Sequence, residues 1–149
     1  MAELPYRPGQ FVWCLYPFRE FPDRPGPQRH IGYVLDVVQR GGKLLVAAAL
    51  YSTTSPWPAH GHLPRGVIAI REQQARALGQ RPFFIDARRI AYMPIDAAFF
   101  PDLPQSGKGV VGEAMPGLAH KIEAAVVDLL KRPEMLELLG PERPSRGRP

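Results

Sequence analysis

Two short stretches of this sequence carry side chains able to act together on a phosphate. Arg29-His30 follows a proline-rich segment, and Ser52-Thr53-Thr54-Ser55 ends an apolar run. Between them Gln39-Arg40-Gly41-Gly42-Lys43 is a hairpin turn signal. Arg29 and Thr53 are about equally far from that turn, so a hairpin over Arg29–Val38 and Lys43–Tyr51 brings them nearly opposite each other. A guanidinium and a hydroxyl converging at one strand end can hold a phosphate, although hydroxyl clusters at strand ends also serve as local turn caps. Other chemistry is sparse. No nucleophile elbow, phosphate-binding glycine loop or dinucleotide fingerprint is present. His60-Gly61-His62 is an isolated His-x-His without identified partners, so no metal site and no cofactor is expected. Cys14, the single cysteine, alternates with Trp13 and Leu15 in a strand pattern and reads as buried.

The elements that must position these groups are fenced by proline. The chain holds 18 Pro and 14 Gly in 149 residues, which excludes coiled coils, helical repeats and long-helix bundles. With 45% hydrophobic and 22% charged residues it nevertheless has enough apolar surface for a core. Proline clusters at Pro17–Pro27, Pro56–Pro64 and Pro94–Pro104 separate the apolar runs. Gln10–Tyr16, Gly66–Ile70, Phe83–Ala87 and Ile90–Met93 read as further strands, the last two joined by a tight turn or bulge at Arg88-Arg89. Arg71–Leu78 reads as a short helix stopped by Gly79. Pro116 opens a final helix whose stripe is Leu118, Ile122, Ala125, Val126, Leu129 and Leu130, and Glu134–Leu139 adds a further turn or two. The expected fold class is mainly β with added helices, a small bent sheet or barrel. One domain is expected over 1–139, with 140–149 as a disordered, basic, proline-rich tail.

The loop Pro17–Gln28 is too long for a plain hairpin connection and carries Arg19, Glu20, Asp23 and Arg24 with Phe18 and Phe21 between them. The net charge of +5 comes mostly from arginine, since only Lys43, Lys108, Lys121 and Lys131 are lysine, and arginine suits bidentate phosphate contact. Much of the excess lies in the tail, at Arg143, Arg146 and Arg148, so charge alone does not establish a nucleic-acid partner. No apolar run is long enough to cross a bilayer and the first ten residues lack a secretory pattern, so a soluble, cytoplasmic protein without membrane contact is expected.

Gly9-Gln10-Phe11-Val12-Trp13-Cys14, the charged loop, and Arg29-His30-Ile31-Gly32-Tyr33-Val34-Leu35 resemble the opening of the PemK/MazF-like toxin family. Ala49-Leu50-Tyr51-Ser52-Thr53-Thr54-Ser55 is similar to that family's next segment, and Arg81–Phe100 to a branch with a Phe-x-x-Asp-x-Arg-Arg pattern. The resemblance implies an SH3-like barrel, usually homodimeric, and a metal-independent endoribonuclease that halts growth until an antitoxin binds. It implies Arg29 and Thr53 as catalytic residues; His30, Thr54, Arg19, Arg24 and Trp13 are expected beside them as RNA-binding or supporting residues. Single-stranded RNA cleaves through attack of its own 2′-OH, leaving a 2′,3′-cyclic phosphate, so the protein supplies proton transfer and charge neutralisation rather than a nucleophile. Two positions depart from the pattern: Gln10 stands where the family has Asp, and His30-Ile31 where it has Pro-Ala. The imidazole of His30 is either a general base or a hydrogen-bonded residue at a strand start. Trp13, Tyr16, Tyr33 and Tyr51 stack on bases or fill the core, and Arg88-Arg89 bind RNA backbone or decorate a turn. The alternatives are a non-catalytic SH3-like module that binds nucleic acid or protein, and a diverged toxin acting on a topoisomerase.

Overall fold

A computed structural model describes residues 4–53, 63–103 and 109–144, the side chains of 47 and 49–53 excepted. The first strands follow the proline fences: β1 (Gln10–Cys14), β2 (His30–Arg40) and β3 (Lys43–Thr53). β2 and β3 form the expected hairpin, closed at Arg40–Lys43 with Gly41 and Gly42 at φ of 58° and 79°. Positive φ at both central residues gives the turn a twist that matches the strands, which is why two glycines stand there. The register shifts once, between Val34 and Asp36, where a bulge at Leu35 adds a residue to β2.

The remaining elements are β4 (Val67–Ile70), α1 (Glu72–Ala77), β5 (Phe83–Pro94), β6 (Val110–Glu113), α2 (Pro116–Leu130), a 3-10 turn at Pro133–Met135 and β7 (Glu137–Leu139). The protein is mainly β: seven strands share one sheet in the order β4-β5-β3-β2-β1-β6, with β7 on β5. The sheet does not close into a barrel, because β4 and β6 are not paired with each other. They meet instead at α1. β4 runs almost directly into this helix, and the buried Gln74 side chain donates to the Glu113 carbonyl (3.3 Å) and accepts from the Met115 N–H (2.7 Å). One amide thus satisfies the backbone where β6 ends and holds the curl of the sheet.

Phe83–Ala87 and Ile90–Met93, expected as two strands, are one strand interrupted by a bulge. Facing β3, the register passes from Ala49–Ile90 to Leu50–Asp86, leaving Ala87, Arg88 and Arg89 looped out. A second difference lies at Glu134–Leu139, expected as helix. After the single 3-10 turn, Glu137–Leu139 extend and pair in parallel with Arg89–Ala91. β4 covers the same edge of β5 only over Phe83–Asp86, so β7 satisfies backbone groups that β4 leaves open. The first residues of the expected tail make contacts with the rest of the chain. Gly140 N–H donates to the Pro22 carbonyl (2.7 Å), Arg143 pairs with Asp23, and Glu142 meets Lys43 at 3.4 Å. Polar anchoring therefore places 140–144 although they hold no core-forming residue, and 145–149 lie outside the described residues.

Alternation along β1 and β2 sends side chains into two apolar clusters. Phe11, Ile31, Tyr33, Ile70, Phe83 and Ile85 fill one, with Leu78 of the α1 end and Ile122 and Leu129 of α2. Val12, Cys14, Tyr16, Val34, Met93 and Phe100 fill the other. The α2 stripe is as expected except at its last position, where Leu130 is 63% exposed. Leu129, fully buried, anchors the helix, and Leu129→Ala is expected to cost about 2–5 kcal/mol in denaturant unfolding. No helix among the described residues is long and apolar enough to cross a membrane.

Burial pushes the Tyr6 and Tyr33 hydroxyls up from 10.0 to about 12. A raised folded-state pKa favours the folded state while the phenol is neutral, so this contribution is complete below pH 10 and is lost as pH rises toward 12. The chain is expected to lose stability over that interval, followed by circular dichroism alongside the 295 nm absorbance of tyrosinate. The Cys14 thiol is likewise pushed up to about 12 by burial, which leaves it unreactive as a nucleophile near neutral pH.

Candidate nucleic-acid interface

The open end of the β2–β3 hairpin is where the two expected catalytic residues belong. The paired register reaches Gly32–Leu50. Beyond that pair Arg29 precedes β2 and Thr53 closes β3, with an irregularity between Tyr51 and Thr53 where β3 faces β5, so both residues lie toward the same open end of the hairpin. Thr53 is the last residue of β3, and its backbone pairs with Phe84 of β5. Its side chain, and all of Thr54, lie outside the described residues. Arg29 itself is exposed and its guanidinium reaches Asp102 at 2.9 Å. Asp102 was not foreseen as a neighbour: it lies 73 residues away in a turn after Phe100, and no local pattern in the sequence links the two.

His30 opens β2 opposite Cys14, half-buried, with Nδ1 3.2 Å from the Gln28 carbonyl. That contact fits the hydrogen-bonded strand start. Trp13 lies opposite Ile31 and packs against the first cluster, half-buried, so it supports the sheet more than it offers a stacking face. The proline-rich loop folds back on itself: Phe21 N–H donates to the Phe18 carbonyl and Gly26 N–H to the Leu15 carbonyl. It presents Phe18 (39% exposed) and Phe21 (60%) to solvent, with the Arg24 guanidinium 5.7 Å from the Phe21 ring.

Arg19 points elsewhere. Its Nε donates to Glu137 Oε2 (2.6 Å) in β7, at the edge of a cavity of about 710 Å³ between the loop, the β5 bulge and the C-terminal segment. Arg19, Arg88, Arg89 and Arg143 line it together with the carboxylates of Asp23, Asp86, Glu134 and Glu137. The bulge explains two of them, since it releases Arg88 and Arg89 from the regular pleat. Arg88 is held in a fork on Asp86, Nε to Oδ1 and NH2 to Oδ2 both at 2.9 Å, and Asp86 Oδ1 also accepts the Arg88 N–H (3.0 Å). Asp86 is only 3% exposed, so this pair balances a buried carboxylate, and the hydrogen bond pushes the Arg88 pKa further up. The sequence showed Arg88-Arg89 as adjacent cations but gave no sign of the cavity, which needs residues more than 100 positions apart.

His60 and His62 lie outside the described residues, and among those described no group of three or more His, Cys, Asp or Glu is arranged to hold a metal ion. Comparison with protein-family models and with curated proteins gives no match. What the fold and site define is therefore a class: a mainly β chain with a curled sheet, an arginine at a strand start and an arginine-lined cavity.

Proposed function

We propose that the protein is an RNA-cleaving toxin of the PemK/MazF-like kind, built on an SH3-like sheet, acting in the cytoplasm as a homodimer and restrained by an antitoxin protein. The observation that carries this reading is the β2–β3 hairpin, whose paired register runs to Gly32–Leu50 and whose open end leads to Arg29 before β2 and to Thr53 at the end of β3. The quoted motifs support it in order and spacing along the chain.

The chemistry follows from the residue types. The substrate 2′-OH gives up its proton to a base, for which the His30 imidazole is better suited than a guanidinium. The 2′ oxygen bonds to phosphorus while the bond from phosphorus to O5′ breaks, and the leaving oxygen takes a proton. Arg29 neutralises charge on the non-bridging oxygens, and the Thr53 hydroxyl donates to one of them. Asp102 holds Arg29 in the absence of RNA. Half-exposed ion pairs of this kind contribute only about 0–1 kcal/mol, so a phosphate displaces the carboxylate at small cost.

Purified protein incubated with mixed-sequence RNA in EDTA is expected to give fragments ending in a 2′,3′-cyclic phosphate and a 5′-OH. Metal-dependent cutting, or fragments with 3′-OH ends, would contradict this chemistry. RNA that is bound and left intact would favour the second reading, a non-catalytic nucleic-acid module, for which the arginine-lined cavity is the specific support.

A further inference from the structure

Glu137 is an incompletely satisfied carboxylate in the cavity lined by Arg19, Arg88, Arg89 and Arg143. Two guanidiniums converge on its one carboxylate: Arg19 Nε at 2.6 Å from Oε2 and Arg89 Nε at 3.5 Å from Oε1. Arg89 and Glu137 are cross-strand neighbours in the parallel β5–β7 pair, so their side chains leave the sheet side by side. Yet Oε1 is a buried oxygen without a hydrogen bond, because Arg89 stands too far away to make one. The other close pairs in the cavity are one to one, Asp86 with Arg88 and Asp23 with Arg143. Arg19 and Arg89 thus share one incompletely satisfied carboxylate, Glu137, while Glu134 also lines the cavity.

The geometry points to a phosphate-binding site made by Arg19 and Arg89, in which Glu137 stands in for the phosphate and competes with it. A tetrahedral group has more acceptor oxygens than a carboxylate and can serve both guanidiniums at hydrogen-bond distance. Both arginines are partly exposed, at 60% and 38% of the side chain, so a ligand can reach them from solvent. The phosphate is a nucleic-acid backbone diester or a small free phosphate. The diester rests on the nucleic-acid reading above; the site itself does not depend on cleavage at Arg29.

Binding of a labelled single-stranded DNA, which lacks the 2′-OH and stays intact, tests this without cleavage. Glu137→Gln removes the competing charge but keeps the side-chain shape, and is expected to tighten binding about fivefold. Arg19→Ala and Arg89→Ala are expected to weaken it, each lowering the slope of log affinity against log salt by about 0.7. Calorimetry of the Glu137→Gln variant with inorganic phosphate distinguishes the source. Phosphate binding that Arg89→Ala abolishes, with no change for DNA, assigns the site to a small phosphate. If neither DNA nor phosphate binds more tightly to a Glu137→Gln variant whose melting temperature matches the parent, the inference is overturned. Should that variant melt early, the two arginine variants decide: unchanged affinity and salt slope in both overturns it as well.

Discussion

Replacing Arg29 with alanine is expected to lower the rate of RNA cleavage by about 10²–10³-fold, the usual effect of removing one preorganised donor from a transition state of growing charge. The loss should be in the chemical step, because in the proposed reaction the guanidinium acts on charge that develops only as the 2′ oxygen attacks. Unfolding does not explain it: Arg29 is exposed at the end of the loop, and the contact it gives up is one ion pair with Asp102. The melting temperature of the variant should stay within a degree or two of the parent, about what loss of an exposed pair moves. Asp102→Asn supplies the converse. It leaves Arg29 without its competing carboxylate and should keep or raise the cleavage rate at low RNA concentration. Single-turnover rates of the three proteins, measured beside their thermal melts, check both statements.

Gly140→Ala is expected to be the most damaging small change to the fold. Gly140 has φ of +95°, which disfavours any side chain, and an added Cβ would lie 2.2 Å from the Tyr92 carbonyl oxygen. That oxygen belongs to the backbone of β5, in the middle of the sheet, and cannot step aside as a flexible side chain would. The combined strain and overlap are expected to cost about 3–5 kcal/mol. The effect should spread, because Gly140 follows β7 directly and its N–H holds the proline-rich loop through Pro22. Gly41→Ala is the control: φ is also positive, at +58°, but nothing lies within 4 Å of the added atom. It should cost only about 1–2 kcal/mol. Urea unfolding of both variants gives the comparison, and equal losses would show that the clash at Tyr92 is relieved.

Local patterning made the strands legible. The paired glycines, the apolar runs and the proline fences placed β1, β2, β3 and β4, because those signals act over a few residues. The β5 bulge is visible in the sequence only as one of two options at Arg88-Arg89, since a bulge and a tight turn share the same composition. Glu134–Leu139 favours helix by propensity, and the open edge of β5 overrides it over Glu137–Leu139. The same limit applies to the site. Counting from a turn reaches Arg29 and Thr53 as candidates, while the paired register ends short of both at Gly32–Leu50. Asp102, Glu137 and Arg143 could not be reached this way, because each meets its partner across 73 to 120 residues. The proline-rich loop links the two regions. Arg19 and Asp23 tie it to the C-terminal segment on one side, and it delivers Arg29 to the hairpin end on the other.

The central claim is that Arg29 and Thr53 act together on one phosphate at the open end of the hairpin. A double-mutant cycle on the single-turnover cleavage rate tests it most directly, using Arg29→Ala, Thr53→Val and the two combined. Groups that serve one transition state are strongly non-additive, so the double variant should be little slower than the worse single variant. Rate losses that multiply, or a Thr53→Val variant that cleaves as fast as the parent, would contradict a shared site.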